Sequence, residues 1–394
     1  MRILETTVAG AHTVRAEVLD NLAEFERWSS DWHRLYGEGS KSSPYQEWEW
    51  NRALVQHHLY KGRVLLITVV RHGTTRAILP LSMSRAPLGY WLLTILGFDT
   101  WSDYLDVVGG NDVNMDDITA LLEGLFKLFP HAVFLATQIP EWSELVESLG
   151  RSSYKRLAGL AACYAIRIPQ NAAAYVSSLR HSTRRHDRRI GNRARAAFGE
   201  DLRFELGCQP YLDRELAEAL IAVYSHRQLQ KFGGDISDKR KRFLLDVLTS
   251  RHDPNSIFYS TLTLHGQIVA ENVGFFSPAT RTVTVPLLAY NASYANYRLG
   301  NHLLSLSVQA LADARTGWKP DLYDLTRGSE EYKLRYGGNL SLNHRFILTA
   351  RPLVYRQYMM WDAILETMRS TWSSLRSVRR VVCGVMRPRV YGPK

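Results

Sequence analysis

The chain is poor in cysteine: Cys163, Cys208 and Cys383 stand far apart in 394 residues, in no metal-type spacing. A disulfide framework and a cysteine-built zinc site are thereby excluded, and a reducing, cytoplasmic setting is expected. No apolar run is long enough to span a bilayer, and the opening Met1-Arg-Ile-Leu-Glu-Thr6 lacks the apolar core of a signal peptide. The glycine-rich loop GxxxxGK[ST], the HExxH pair and the GxSxG elbow are all missing. Thirteen histidines show no ligand spacing, so no metal is expected.

What is present is a soluble globular composition, 45% hydrophobic and 22% charged, with 10 Trp and 20 Tyr to supply apolar burial. The length suits two domains. A formal charge of +11 favours acidic partners such as nucleotide phosphates, nucleic acid or an anionic membrane surface. It does not choose among them, and solubility is the default account.

Strands and helices alternate, which argues an α/β protein with a mixed (α+β) sheet. Residues 13–19 alternate as a strand. Helices are expected over 21–36 and 46–58, the second anchored by Trp48, Trp50 and Leu54. Arg63–Arg71, His72-Gly73 and Arg76–Met83 read as a β-hairpin. A strand at 92–96, the loop Asp99–Asp106, a helix at 115–128, a strand at 132–137 and a helix near 142–149 complete the first half. A β-run at 161–168 leads to one long helix over 172–198, then to helices over 210–230 and 238–251. Ile257–Leu264, His265-Gly266 and Ile268–Phe276 form a second hairpin around the same dipeptide. This reads as an internal repeat of one α/β unit, although two unrelated hairpins would match as well over so short a span. The units are placed at 1–165 and 166–351, with an amphipathic helix and basic tail over 352–394.

The tail carries Val354, Tyr358, Trp361, Leu365, Met368, Trp372 and Leu375 at alternating spacings of four and three. Such a seam packs on the body or on a second copy of the chain. The basic residues around it also suit an anionic, inner-membrane surface. Seven arginines between Arg180 and Arg195 cover more than one face of a helix. They read as a solvated surface, or as a contact for an acidic substrate. No aromatic lies between Tyr175 and Phe198 to stack on bases.

The chemistry concentrates between residues 256 and 348. Gly300 precedes a Leu-rich periodic run, where a helix N-terminus offers free N–H groups to a phosphate and Arg298 adds charge. Asp324 ends a buried strand, Glu271 lies inside one, and Glu330, Glu331, Tyr332, Lys333 and Tyr336 follow closely. Transfer from a thioester to an amine or hydroxyl needs a base, an acid and an oxyanion donor, roles that carboxylates and tyrosines can fill. Equally, Asp324 can brace the Arg327-Gly328 turn, and Glu331 can simply pair with Arg335.

The order Gly266-Gln-Ile-Val-Ala270, Tyr294, Gly300 with Leu303-Leu304, Tyr323-Asp-Leu-Thr-Arg-Gly328 and Glu331-Tyr332-Lys333 resembles the CelD/BcsL-type acetyltransferase family. That family belongs to the GNAT (Gcn5-related N-acetyltransferase) superfamily and is related to the Fem-type aminoacyl transferases. Ser43-Pro44 with Trp48 and Trp50, Pro80-Leu81, Asp103-Tyr104-Leu-Asp106 and the Arg-rich helix extend the likeness to about residues 43–350. It departs from the usual [Gln/Arg]-x-x-Gly-x-[Gly/Ala] loop, having Tyr297 and His302 at the outer positions.

The resemblance implies two tandem GNAT-like units and an acyltransferase using acetyl-CoA or another acyl-CoA. The CoA would lie where two central strands splay, its pyrophosphate at Arg298, Gly300, Asn301 and His302. Asp324, Tyr336 and Glu271 are the catalytic candidates, and Arg327, Glu331, Tyr332 and Lys333 the acceptor-binding ones. The acceptor is expected to be a small molecule or glycan, such as a sugar or a polysaccharide or cell-envelope precursor. Two rivals remain: a Fem-like transfer from aminoacyl-tRNA, the one case that involves nucleic acid, and a non-catalytic protein supporting polysaccharide biosynthesis or export.

Overall fold

The computed structural model describes residues 2–367 except 9–11, 40–41, 87, 99–101, 111–112, 152–154, 253–254, 314–317 and 365–366. Strands β1 (Arg2–Val8) and β2 (His12–Leu19) precede helices α1 (Leu22–Glu26), α2 (Ser29–Glu38) and α3 (Trp48–Gln56). The hairpin β3 (Arg63–Arg71) and β4 (Thr74–Arg85) leads to β5 (Trp91–Ile95) and the short β6 (Val108–Gly109). Next come α4 (Met115–Leu128), β7 (Ala132–Pro140), α5 (Glu144–Arg151) and β8 (Lys155–Arg167). Helices α6 (Ala172–Ser178) and α7 (His181–Phe198) connect to β9 (Leu202–Gln209), α8 (Arg214–Phe232) and α9 (Asp238–Thr249). The chain continues through β10 (Ser256–Leu264), β11 (Gln267–Ser277), β12 (Thr282–Tyr290), α10 (Leu299–Ala312), β13 (Leu322–Arg327), α11 (Glu331–Arg335) and β14 (Gly338–Thr349).

The succession from β2 to β8 recurs from β9 to β14. Its local signature is the pair of His-Gly turns. φ is +49° at His72 and +77° at Gly73, and +50° at His265 and +78° at Gly266. Two consecutive positive φ values make the turn whose twist matches a two-residue hairpin, and glycine takes the second at no steric cost. The short sequence match thus marks a structural repeat.

Among the described residues, fourteen strands share one sheet, ordered β1-β2-β3-β4-β5-β7-β14-β8-β13-β12-β11-β10-β9, with β6 on β4. In each half an antiparallel pair (β4–β5, β11–β12) adjoins a parallel one (β5–β7, β12–β13). The final strands then change sides. β14 pairs with β7 from Asn343↔Pro140 to Thr349↔Val133, while β8 pairs with β13. β8 and β14 also pair with each other, from Gly338↔Ile166 to Leu348↔Lys155. Each half is completed by the other's last strand, and residue 165 lies inside β8.

The core crosses the same seam. Trp50 of α3 stands edge-on to Phe243 of α9 and Phe275 of β11, with centroids 5.0 and 5.8 Å apart. Its indole N–H donates to Ser102 Oγ at 2.9 Å. Truncating such a buried Trp costs about 3–5 kcal/mol.

The single helix expected over 172–198 is two helices. Leu179 and Arg180 are extended (ψ 147° and 144°), and the buried Leu179 joins the core around Tyr175, Val308 and Tyr323 while α7 starts in a new direction. Residues 352–364 are helical. Val354 and Tyr358 pack on Tyr90, Val133, Leu135 and Ile347, so the start of the seam lies on the body. Leu365, Met368, Trp372, Leu375 and the basic tail fall outside the described residues. Among the described residues no helix is long and apolar enough to cross a membrane.

Candidate active site

β12 and β13 pair only at Thr282↔Leu322, Val283↔Tyr323 and Thr284↔Asp324. Beyond that point β12 runs on to Tyr290 and β13 to Arg327, without pairing to each other. A cleft of ≈ 440 Å³ opens between them. Arg227 and Lys231 of α8 border one face, Gly300 and Asn301 of α10 the other, and Arg327 and Tyr332 the end of β13. The first half has the same geometry but fills it. β5 and β7 pair from Trp91↔Ala132 to Thr94↔Leu135, and past that point the chain's own Leu105 N–H donates to Gln138 O at 2.9 Å.

The α10 N-terminus is built by Arg298, held at φ +53°, ψ +40°. Asn301 and His302 N–H both donate to Arg298 O, at 3.1 and 3.2 Å, which leaves Leu299 and Gly300 as the remaining first-turn donors. A Cβ at Gly300 would lie 3.1 Å from Tyr290 Cδ1, so the missing side chain keeps this wall of the cleft clear. Arg298 donates to His186 Nε2 at 3.2 Å. His302 turns away from the cleft: its ring packs on Gly191 of α7, and its Nδ1 is 3.7 Å from Asp187. Asp187 also accepts from Ser305 Oγ at 2.7 Å and from Tyr336 O–H at 3.4 Å. These contacts fasten α7 beside α10, with Arg185, Arg188, Arg189 and Arg193 exposed. Partial burial, then Arg298, Arg189 and Arg335, push the His186 pKa down, a sign of a positive field at this corner.

The end of β13 is a network of buried charges. Asp324 Oδ1 accepts from Tyr104 O–H at 2.9 Å and from Thr326 N–H at 2.7 Å. Burial raises the Asp324 carboxyl to about 7, against the lowering effect of those two donors. Thr326 sits at φ +56°, a conformation that costs a β-branched residue about 1–3 kcal/mol and needs firm neighbours. Lys333 provides them: its ammonium donates to Leu325 O, Thr326 O and Arg327 O at 2.9, 3.2 and 2.6 Å, with Glu330 at 3.4 Å. Arg327 Nε lies 2.9 Å from Asp103, whose carboxyl burial raises to about 6.

The structure therefore brings Gly300, Asn301, Arg327, Tyr332 and Lys333 to the cleft, whereas the buried Asp324 is not among its lining residues and turns its carboxylate to Tyr104 and Thr326 N–H. Burial raises the Tyr332 phenol, so it stays protonated at neutral pH. Tyr336 is fully buried behind α11, and Glu331 projects into solvent and pairs with Arg335 at 3.0 Å. Glu271 stands across from Ala289 of the cleft wall. It is 1% exposed, both its oxygens lack a hydrogen-bond partner, and burial raises its pKa well above the carboxylate range. Sequence reasoning gave no role to Arg227, stacked 4.3 Å over Tyr290, or to Lys231. Asp103 and Tyr104 were visible only as part of the family resemblance.

Residues 177–334, which include every residue lining the cleft, match the family model of the acetyltransferase (GNAT) domain. This part of the chain is an acyltransferase domain of that type. Among solved structures, FemX aligns with a TM-score of 0.56 at 12% identity, over 82% of this chain and 96% of FemX. The C-terminal domain (DUF2156) of a putative lysylphosphatidylglycerol synthetase from Agrobacterium fabrum gives 0.53 at 13%, over 88% and 97%. A conserved protein of unknown function from Bacteroides thetaiotaomicron gives 0.52 at 13%, over 81% and 97%. These likenesses show a shared fold. No curated protein sequence matches the chain.

Proposed function

We propose that the chain moves an acetyl or similar acyl group from acyl-CoA to an amine or hydroxyl, on a sugar or a polysaccharide or cell-envelope precursor, as a CelD/BcsL-type enzyme. The observation that carries this is the open splay of β12 and β13, which ends against the α10 N-terminus in a cleft edged by Arg227, Lys231 and Arg327. The unpaired edge of β12 suits an extended amide-bearing arm, and Gly300 with the first turn of α10 suits its phosphates.

A thioester supplies an activated carbonyl. The acceptor's lone pair forms the new C–N or C–O bond as the C–S bond breaks. Asp324, with a carboxyl near 7 and set off the cleft lining, takes the acceptor's proton through one intervening water, and Tyr332 O–H returns one to the leaving thiolate. Free N–H groups along β12 receive the oxyanion. Glu271 stays protonated at neutral pH and is assigned no base role. Arg327 orients an anionic acceptor, whereas Lys333 is spent on three carbonyls and shapes the turn.

A second reading, Fem-like transfer from aminoacyl-tRNA, is favoured by the arginine face of α7 beside the α10 N-terminus and by the two-unit likeness to FemX. Thermal shift and calorimetry against a panel of acyl-CoAs separate the two. Saturable acyl-CoA binding supports the first, and salt-sensitive tRNA binding without it replaces the first with the second.

A further inference from the structure

We propose a divalent transition-metal site of the zinc class at the seam between the two halves, held by Glu47, Glu49 and His252. Glu47 caps the start of α3 and Glu49 lies in its first turn. His252 and Asn255 come from the connection between α9 and β10 in the other half. One ligand atom from each of Glu47, Glu49 and His252 lies within 4.8 Å of the others. Glu47 and His252 stand 205 positions apart in sequence, so no local spacing signals the site.

Three observations point to a cation. First, Glu47 and His252 are 1% and 2% exposed, yet Glu47 Oε1 and Glu49 Oε2 are buried without a hydrogen-bond partner. Each orphaned buried oxygen costs about 1–3 kcal/mol. Beside them, Asn255 presents an N–H to Tyr36 Oη, whose own O–H donates to Ser43 O, and its amide also lies against Glu47.

Second, both nearby histidines are tethered through one ring nitrogen to a backbone carbonyl. His252 Nε2 lies 2.7 Å from Val247 O, and His33 Nδ1 lies 2.8 Å from Ser29 O. Their other nitrogens face the carboxylates: His252 Nδ1 is 2.5 Å from Glu47, and His33 Nε2 is 3.2 Å from Glu49. Metal-ligating histidines are oriented in this way, the far N–H on a carbonyl fixing the tautomer.

Third, a proton on His252 would satisfy one oxygen of Glu47 and leave Glu47 Oε1 and Glu49 Oε2 as they are. A divalent ion between two carboxylates and an imidazole balances the charge and supplies the missing partner. Mixed imidazole and carboxylate donors suit zinc better than magnesium or calcium. His33, with 42% of its side chain exposed, marks the approach from solvent. The ion would fasten the two halves together, away from the cleft.

The test uses the full-length protein, with elemental analysis and thermal unfolding as readouts. Expected are about one zinc per chain, a lower Tm after chelation, and recovery with zinc but not with magnesium. Glu49→Gln, partly exposed and isosteric, should weaken zinc binding by at least about 10-fold and make Tm insensitive to chelator. Should that variant fail to fold, His33→Ala serves, with weakened zinc binding expected. A wild-type Tm that neither chelator nor added zinc moves would overturn the site in favour of a proton-sharing Glu47–His252 pair. Zinc binding left unchanged in the variants would overturn it too.

Discussion

Replacing Asp324 by asparagine is the sharpest probe of the β13 end. Asparagine keeps one oxygen to accept from Tyr104 O–H and Thr326 N–H, so the fold should survive. What it removes is a proton equilibrium. The carboxyl titrates near 3.8 when unfolded and about 7 when folded. Between those values the folded chain holds the extra proton, so stability is greatest at low pH and falls as pH rises towards 7. The slope approaches 1.4 kcal/mol per pH unit, so from pH 5 to pH 8 the wild type should lose roughly 2–3 kcal/mol more than Asp324→Asn. Asp103, Glu271 and Glu47 are also raised by burial and push in the same direction. They are present in both proteins, so the difference isolates Asp324. Urea unfolding of both proteins at pH 5 and pH 8 measures it through the midpoints. Equal pH slopes would refute the buried, neutral Asp324. The same variant should lower turnover by about 10²–10⁴-fold, and the wild-type rate should rise with pH through an inflection near 7.

Lys333→Met strips a donor from three buried carbonyls and should cost about 3–5 kcal/mol in urea unfolding; a loss below 1 kcal/mol contradicts the clamp. Gly300→Trp places an indole against Tyr290 and should abolish acetyl-CoA binding in calorimetry, whereas equal affinity in both proteins sinks the loop assignment. Tyr332→Phe should leave the melting temperature in place and lower kcat by about 10²-fold, with little change in KM. An unchanged kcat would remove Tyr332 as the acid.

Local chemistry was legible in the sequence. His72-Gly73 and His265-Gly266 announce their hairpins because a two-residue turn needs particular backbone angles, and these few residues supply them. Gly300 before a Leu-rich helix and Asp324 at a strand end were readable for the same reason. Long-range pairing was not. β9 alternates, but only mildly, and β14 gains its meaning from β7 and β8, far back in the chain. The break at Leu179–Arg180 was hidden because neither residue is a helix breaker; the packing of α7 on α10 imposes it. The direction of each side chain was equally out of reach. Tyr336, named beside Tyr332, is the one that points inward. Lys333 looked free to meet a substrate until its three carbonyls were in view.

The exchange of final strands bears on how the chain is made. Synthesis proceeds from the N-terminus, and β7 is finished long before its neighbour β14, which lies 205 residues further on at the Gln138–Asn343 contact. Throughout that interval the first half carries a bare strand edge, with N–H and C=O groups ready to pair with any other chain. A ribosome that stalls anywhere before residue 338, or a deletion that removes only the last strand, therefore leaves two sticky halves rather than one finished and one missing. The halves are committed to each other at birth, and neither is expected to fold when expressed alone.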